Sequence, residues 1–236
     1  MSDIHSSADP ASAAPGQAAG KLAAGHAAHS ANGHGHPLPA GHFHHWEPEQ
    51  AYHGSKMAMW VFLATEVHLF GGLFSVFALY RWMYLDVFNE SARALNWKLG
   101  ALNTAVLLSS SYLMVRAVDA AQHGDNKKVN SWINWVLLCG LIFMIVKAFE
   151  YTHKFEIGTY PNTNIFYGLY FTMTGLHGIH VLGGMGAMWW LKGHAKRNRF
   201  SETYYTPVEV VGLYWHLVDV IWIYLFPVVY LLGGIN

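Results

Sequence analysis

The stretch IFYGLYFTMTGLHGIHVLGGMGAMWWL, residues 165–191, decides the fold. Its 27 residues hold no acid, lysine or arginine, yet they include two histidines, His177 and His180. At about 1.5 Å of rise per residue a helix of this length covers roughly 40 Å, against roughly 30 Å of bilayer hydrocarbon. The stretch therefore reads as a tilted transmembrane helix. His177 and His180 lie three apart, one above the other on one face. Thr174 with Gly178, and Gly183 with Ala187, place small residues four apart, the pattern that lets another membrane helix approach closely. A polar side chain at membrane depth points into a bundle and finds a partner there, so partners are expected on other spans.

Composition supports a membrane protein. Hydrophobic residues make up 53% of the chain and charged ones only 12%, about half the charge of a typical soluble domain. Ten Trp and thirteen Tyr supply interfacial aromatics. The formal net charge of zero gives no electrostatic case for a nucleic-acid partner. Cys139, the sole cysteine, excludes a disulfide framework and a cysteine metal site.

Residues 1–50 are rich in Ala, Gly, Ser, Pro and His. Such a segment buries too little apolar surface to offset its ordering entropy, and it is expected to be a disordered tail. It has no basic start or continuous aliphatic core of a signal peptide, which favours a cytoplasmic N-terminus. Nine of the sixteen histidines fall before residue 54. A flexible histidine tract binds copper, zinc or nickel, physiologically or adventitiously.

Four further spans are expected, at about 57–80, 99–118, 132–151 and 208–232, which with 165–191 make an all-α, five-helix integral membrane bundle over residues 51–236. The first carries Glu66, its only acid or base. A mid-membrane carboxyl is either functional or a protonated group bonded to a neighbouring helix. The second holds Asn103, Thr104 and Ser109 to Ser111, which serve interhelical hydrogen bonding. In the third, Lys147 and Glu150 stand three apart, within reach of an intrahelical ion pair. Lys154 is expected in the loop beyond it. The last holds Trp215, His216, Asp219 and Trp222 on one broad face. An acid and an imidazole inside a span form either a proton relay or a buried structural pair, and spacing does not choose. His177 and His180 likewise remain open to metal or haem ligation and to plain hydrogen-bonded packing. Pro227 is expected to kink the end of the last span. Nine basic residues on one side (Lys21, Lys56, Arg116, Lys127, Lys128, Lys192, Lys196, Arg197 and Arg199) face four on the other (Arg81, Arg93, Lys98 and Lys154). That asymmetry puts the N-terminus inside and the C-terminus outside.

The motifs resemble a known family. FTMTGLHGIHVLGG (residues 171–184) is similar to the signature of subunit III of haem-copper cytochrome c and quinol oxidases, and WHLVDVIWIYLF (215–226) to that family's last helix. FLATEV (62–67), LNTAVLLSSS (102–111) and FEY (149–151) fit in the same order, and the resemblance covers residues 56–236. It implies a subunit without haem or copper of its own, packed on the catalytic subunit I, sustaining proton uptake and stable turnover while oxygen is reduced to water in a bacterial inner membrane. It implies no cofactor in this chain, with haem and copper in partner subunits. Membrane lipids, including bound phospholipid, and a larger respiratory supercomplex are compatible with it. Mitochondrial-type members have seven helices, and the tail here stands where their first two would be. This resembles the shorter five-helix bacterial form, and the lipid cleft formed by the missing pair is not expected. Lys147 stands where mitochondrial relatives have an uncharged residue. Glu66 then matches the family's embedded glutamate. An interior polar network of Glu66, Asn103, Lys147, Glu150, His177, His180, His216 and Asp219 is expected, with Trp215, Trp222 and Gly178 packing around it. The alternatives are an accessory subunit of a quinol oxidase or nitric oxide reductase and, from another class, a metal-handling membrane protein using the histidine tail.

Overall fold

The first helix, α1, spans Pro48–Met83 and is followed by a short α2 at Leu85–Arg93. The long helices α3 (Trp97–Gln122), α4 (Asn126–Glu156), α5 (Ile165–Lys196) and α6 (Thr206–Phe226) come next, and α6 runs into a π-helical turn at Pro227–Leu231. This computed structural model describes residues 48–232, with side chains from Tyr52 onward. The tail expected over residues 1–50 lies outside the described residues, apart from 48–50 at the start of α1. Among the described residues no strand forms, only one isolated bridge between Ser201 and Tyr204.

Local chemistry sets the helix ends. The Asn96 side chain accepts from the Lys98 and Leu99 amides, Asp125 from Lys128, and Asn164 from Tyr167, each capping the next helix. The Lys128 amide and then its ammonium hold the Asp125 carboxyl below its usual range. Gly124 (φ +67°) and Gly158 (φ +74°) end the turns after α3 and α4, where the left-handed backbone favours glycine. Pro207 opens α6 in the first turn, where its missing N–H leaves nothing unsatisfied.

Helices α3, α4, α5 and α6 form a ring, each packed on the next and α6 closing on α3. Helix α1 lies outside, against α5 and α6, and is held at its start by the Lys56 ammonium 2.8 Å from Glu209 of α6. Among the described residues four helices are long and apolar enough to cross a membrane: Tyr52–Met83, Trp97–Gln122, Asn126–Glu156 and Thr206–Leu231. The expected fifth span, 165–191, is helical and continuous, but α5 falls outside that set. Its seven glycines and three histidines, together with its Tyr and Trp, dilute the hydropathy that aliphatic side chains would supply.

Two elements differ from the expectation. Helix α4 continues past Tyr151 to Glu156 because no breaker precedes Gly158, so Lys154 is helical and 4% exposed, its Nζ donating to the Ala94 carbonyl at 3.0 Å. Helix α2 is not among the expected elements. Its nine residues fall below the length at which periodicity is readable, and it is fixed by burial of Phe88 between Phe77 and Phe166, with centroids 5.1 and 5.4 Å away.

Candidate functional site

Three groups of hydrogen bonds join polar side chains across the bundle interior. The first joins α1 to α5, where Glu66 Oε2 lies 2.8 Å from His180 Nε2, and both side chains are largely buried. His180 Nδ1 is 2.8 Å from the Leu176 carbonyl. A carbonyl only accepts, so Nδ1 carries the proton. His180 Nε2 then either accepts from a protonated Glu66 or donates to its carboxylate.

The second group is an ion pair in an aromatic cage. Lys147 Nζ donates to Glu150 Oε2 at 3.0 Å and to the Tyr230 hydroxyl at 2.7 Å, and Tyr170 and Tyr230 donate to Glu150 Oε1 at 3.0 and 2.7 Å. Both charged residues are 6% exposed. The rings of Tyr151, Tyr170, Trp222 and Tyr230 surround the ammonium with centroids 5.1–5.6 Å away. Taking two charges out of water is costly unless the remaining protons and lone pairs find partners, and here the two phenols supply them. Pro227 brings Tyr230 into the cage. Without an N–H it cannot extend the α ladder, which widens so that the Leu232 amide bonds the Pro227 carbonyl at 3.1 Å. Each extra residue in a turn rotates the rest of the helix by roughly 100°. The expected kink is therefore a π turn that aims Tyr230 inward.

The third group joins α3 to α6. Ser111 Oγ is 2.6 Å from His216 Nδ1, while Trp215 and Trp222 donate their indole N–H to Ser110 at 3.0 Å and Thr104 at 3.1 Å. Both Ser110 and Thr104 also donate back to their own helix, to Leu107 and Gly100, so each hydroxyl acts as donor and acceptor at once. The polar α3 face thus binds the tryptophan face of α6.

Asn103, His177 and Asp219 stand apart from all three groups. They are 0–2% exposed and no side-chain N or O of theirs has a hydrogen-bond partner. His177 packs its ring on Phe143 and Trp222, with centroids 5.6 and 5.2 Å away, whereas His180 turns to α1. The two histidines therefore share no ligand. Among the described residues no group of three or more His, Cys, Asp or Glu side chains could hold a metal ion. His216 and Asp219 make no hydrogen bond to each other. The close approach also sits elsewhere than at Gly178, where an added Cβ would meet nothing within 4 Å. Close approaches lie at Gly184 and Gly140, whose Cβ positions are 2.8 and 3.3 Å from the Trp215 ring, and at Gly100, whose Cβ position is 2.6 Å from the Phe226 ring. The indole lies between α4 and α5 because both backbones are bare there. Tyr170 and Tyr230, which complete the cage, carried no sequence signal, since hydroxyl-bearing residues are frequent throughout the spans, whereas Ser111 belongs to the hydroxyl run expected to bond between helices.

The model of the family "Cytochrome c oxidase subunit III" matches residues 40–234. The chain is 34% identical over 192 residues to "Cytochrome c oxidase subunit 3" of a Synechocystis, covering 81% of this chain and 79% of that protein. It is also 34% identical over 170 residues to "Probable cytochrome c oxidase subunit 3" of Nocardia farcinica, covering 72% of this chain and 84% of the relative. To the subunit 3 of Thermostichus vulcanus it is 30% identical over 180 residues, 75% of this chain and 86% of the other. With the family matched across nearly all of the helical region, the chain belongs to the cytochrome c oxidase subunit III family.

Proposed function

We propose that this chain is the non-catalytic subunit III of a haem-copper terminal oxidase that takes electrons from cytochrome c. It packs on the catalytic subunit and supports proton uptake and stable turnover as oxygen is reduced to water. The observation that carries the reading is the family match over residues 40–234. The interior supports this reading, because its hydrogen-bonded polar side chains tie neighbouring helices together. Haem and copper then reside in partner subunits. In this reading α5 is the fifth membrane span, packed between α4 and α6, where Gly184 serves close packing. The N-terminus with its tail is cytoplasmic and the C-terminus periplasmic, in a bacterial inner membrane.

Mild solubilisation and purification through this chain tests the reading. A haem-containing subunit should co-purify, with cytochrome c oxidation that consumes oxygen. Recovery of the chain alone overturns the proposal. Quinol as the donor, or nitric oxide as the acceptor, reassigns the complex within the wider oxidase group.

A further inference from the structure

A groove of about 350 Å³ opens between α3 and α6. Asp119 and Gln122 from the end of α3 and Glu209 from the start of α6 line it, and Gly212, Leu213 and His216 carry it inward. The groove starts at the end of the bundle where Lys56 pairs with Glu209. From Glu209 to Asp219 is ten residues, roughly 15 Å along α6. That places Asp219 near the middle of the Thr206–Leu231 span. His216 lines the groove and has Nδ1 on Ser111 Oγ at 2.6 Å. Asp219 follows His216 by three residues, one turn further along the same side of α6. Asp219 is 2% exposed with both oxygens unpartnered. A carboxyl so placed requires water or a proton, since buried polar atoms without partners are rare and expensive.

We propose that this groove is a proton inlet, through which water delivers protons to Asp219 by way of His216 and Ser111. A proton from groove water enters the free ring nitrogen of His216. The Nδ1 proton passes to Ser111 Oγ as the hydroxyl proton of Ser111 moves, through water, to a carboxylate oxygen of Asp219. One proton is transferred and no electron moves. Exchange of the imidazole tautomer then resets the relay. The titratable groups at the mouth are Asp119, Glu209 and Lys56. Glu66 and His180 lie on the α1 side of α5 and take no part. The inlet ends at Asp219, which makes it a proton-storing site rather than a through channel. The proposal goes beyond the supporting role stated above, and its readout does not depend on oxidase activity.

The test uses the whole complex containing this chain, reconstituted in lipid nanodiscs, and the infrared carbonyl band of a protonated carboxyl recorded in water and after transfer to heavy water. Asp219→Asn should remove one such band and so identify it. In the unsubstituted complex that band should shift promptly on deuteration. His216→Phe, which ends the relay, and Leu213→Phe, which fills the groove and leaves the relay side chains unsubstituted, should each slow the shift about tenfold or more. Helical circular dichroism and recovery of the complex check that each variant folds, and the second substitution stands in should His216→Phe misfold. An unchanged exchange rate in a folded variant of either kind, or no band that depends on Asp219 at any pH, overturns the proposal. A chain that purifies without an oxidase overturns the functional reading while leaving the Asp219 band readable.

Discussion

Glu66 of α1 and His180 of α5, 114 residues apart in sequence, meet at 2.8 Å and form a largely buried polar tie between α1 and the four-helix ring. Because His180 Nδ1 is committed to the Leu176 carbonyl, the proton between Nε2 and Glu66 decides the character of the tie. Glu66→Gln keeps the shape and provides an N–H that a neutral Nε2 accepts, so the variant should assemble nearly normally. Glu66→Leu strands Nε2 and should weaken the bundle by about 1–3 kcal/mol. Unfolding midpoints of the two variants check this, and equal midpoints would sink it.

The Lys147–Glu150 cage makes an asymmetric prediction. Lys147→Met leaves a carboxylate buried with only two phenols and should destabilise by about 3–5 kcal/mol. Adding Glu150→Gln removes the stranded charge and should restore most of that loss, since a matched pair of neutral groups needs no counter-ion. A double-mutant cycle on denaturant midpoints measures the coupling, and simple additivity of the two losses would contradict the cage.

Gly184 and Gly178 lie six residues apart on α5 and should respond in opposite ways. A methyl at Gly184 meets the Trp215 ring at 2.8 Å, and a packed indole between two helices has little room to retreat, so Gly184→Ala should lose about 1–3 kcal/mol. Gly178→Ala meets nothing within 4 Å and should be neutral or gain up to about 1 kcal/mol from helix propensity. Thermal unfolding of the two single variants checks the contrast.

Asp125 supplies a pH dependence outside the membrane. Its carboxyl is held low by the Lys128 amide and ammonium, so its folded pKa lies below the unfolded one. The stabilisation is therefore present above the unfolded value of about 3.9 and is lost as pH falls through the depressed folded value. Asp125→Asn should show a weaker acid dependence at the start of α4 while still capping. Hydrogen exchange of the Lys128 amide across an acid series reads this directly.

The chain itself determined the all-helical class, the apolar spans and the residues worth watching. Those signals depend on composition and on spacing within one helix, and Lys147 with Glu150 was legible as a pair because both lie on α4, three apart. Partners on other helices were not legible. Nothing in the order of residues says that Glu66 takes His180 and leaves His177 to Phe143 and Trp222, or that His216 binds Ser111 while Asp219 stands alone. Those choices come from the rotation of each helix about its axis. Rotation is set by where bare backbone at Gly140 and Gly184 admits Trp215, and by the π turn that Pro227 forces on α6. Helix α5 shows the division most plainly: its sequence identified it as the organising element, yet only its packing decided that one histidine faces α1 and the other the closed core.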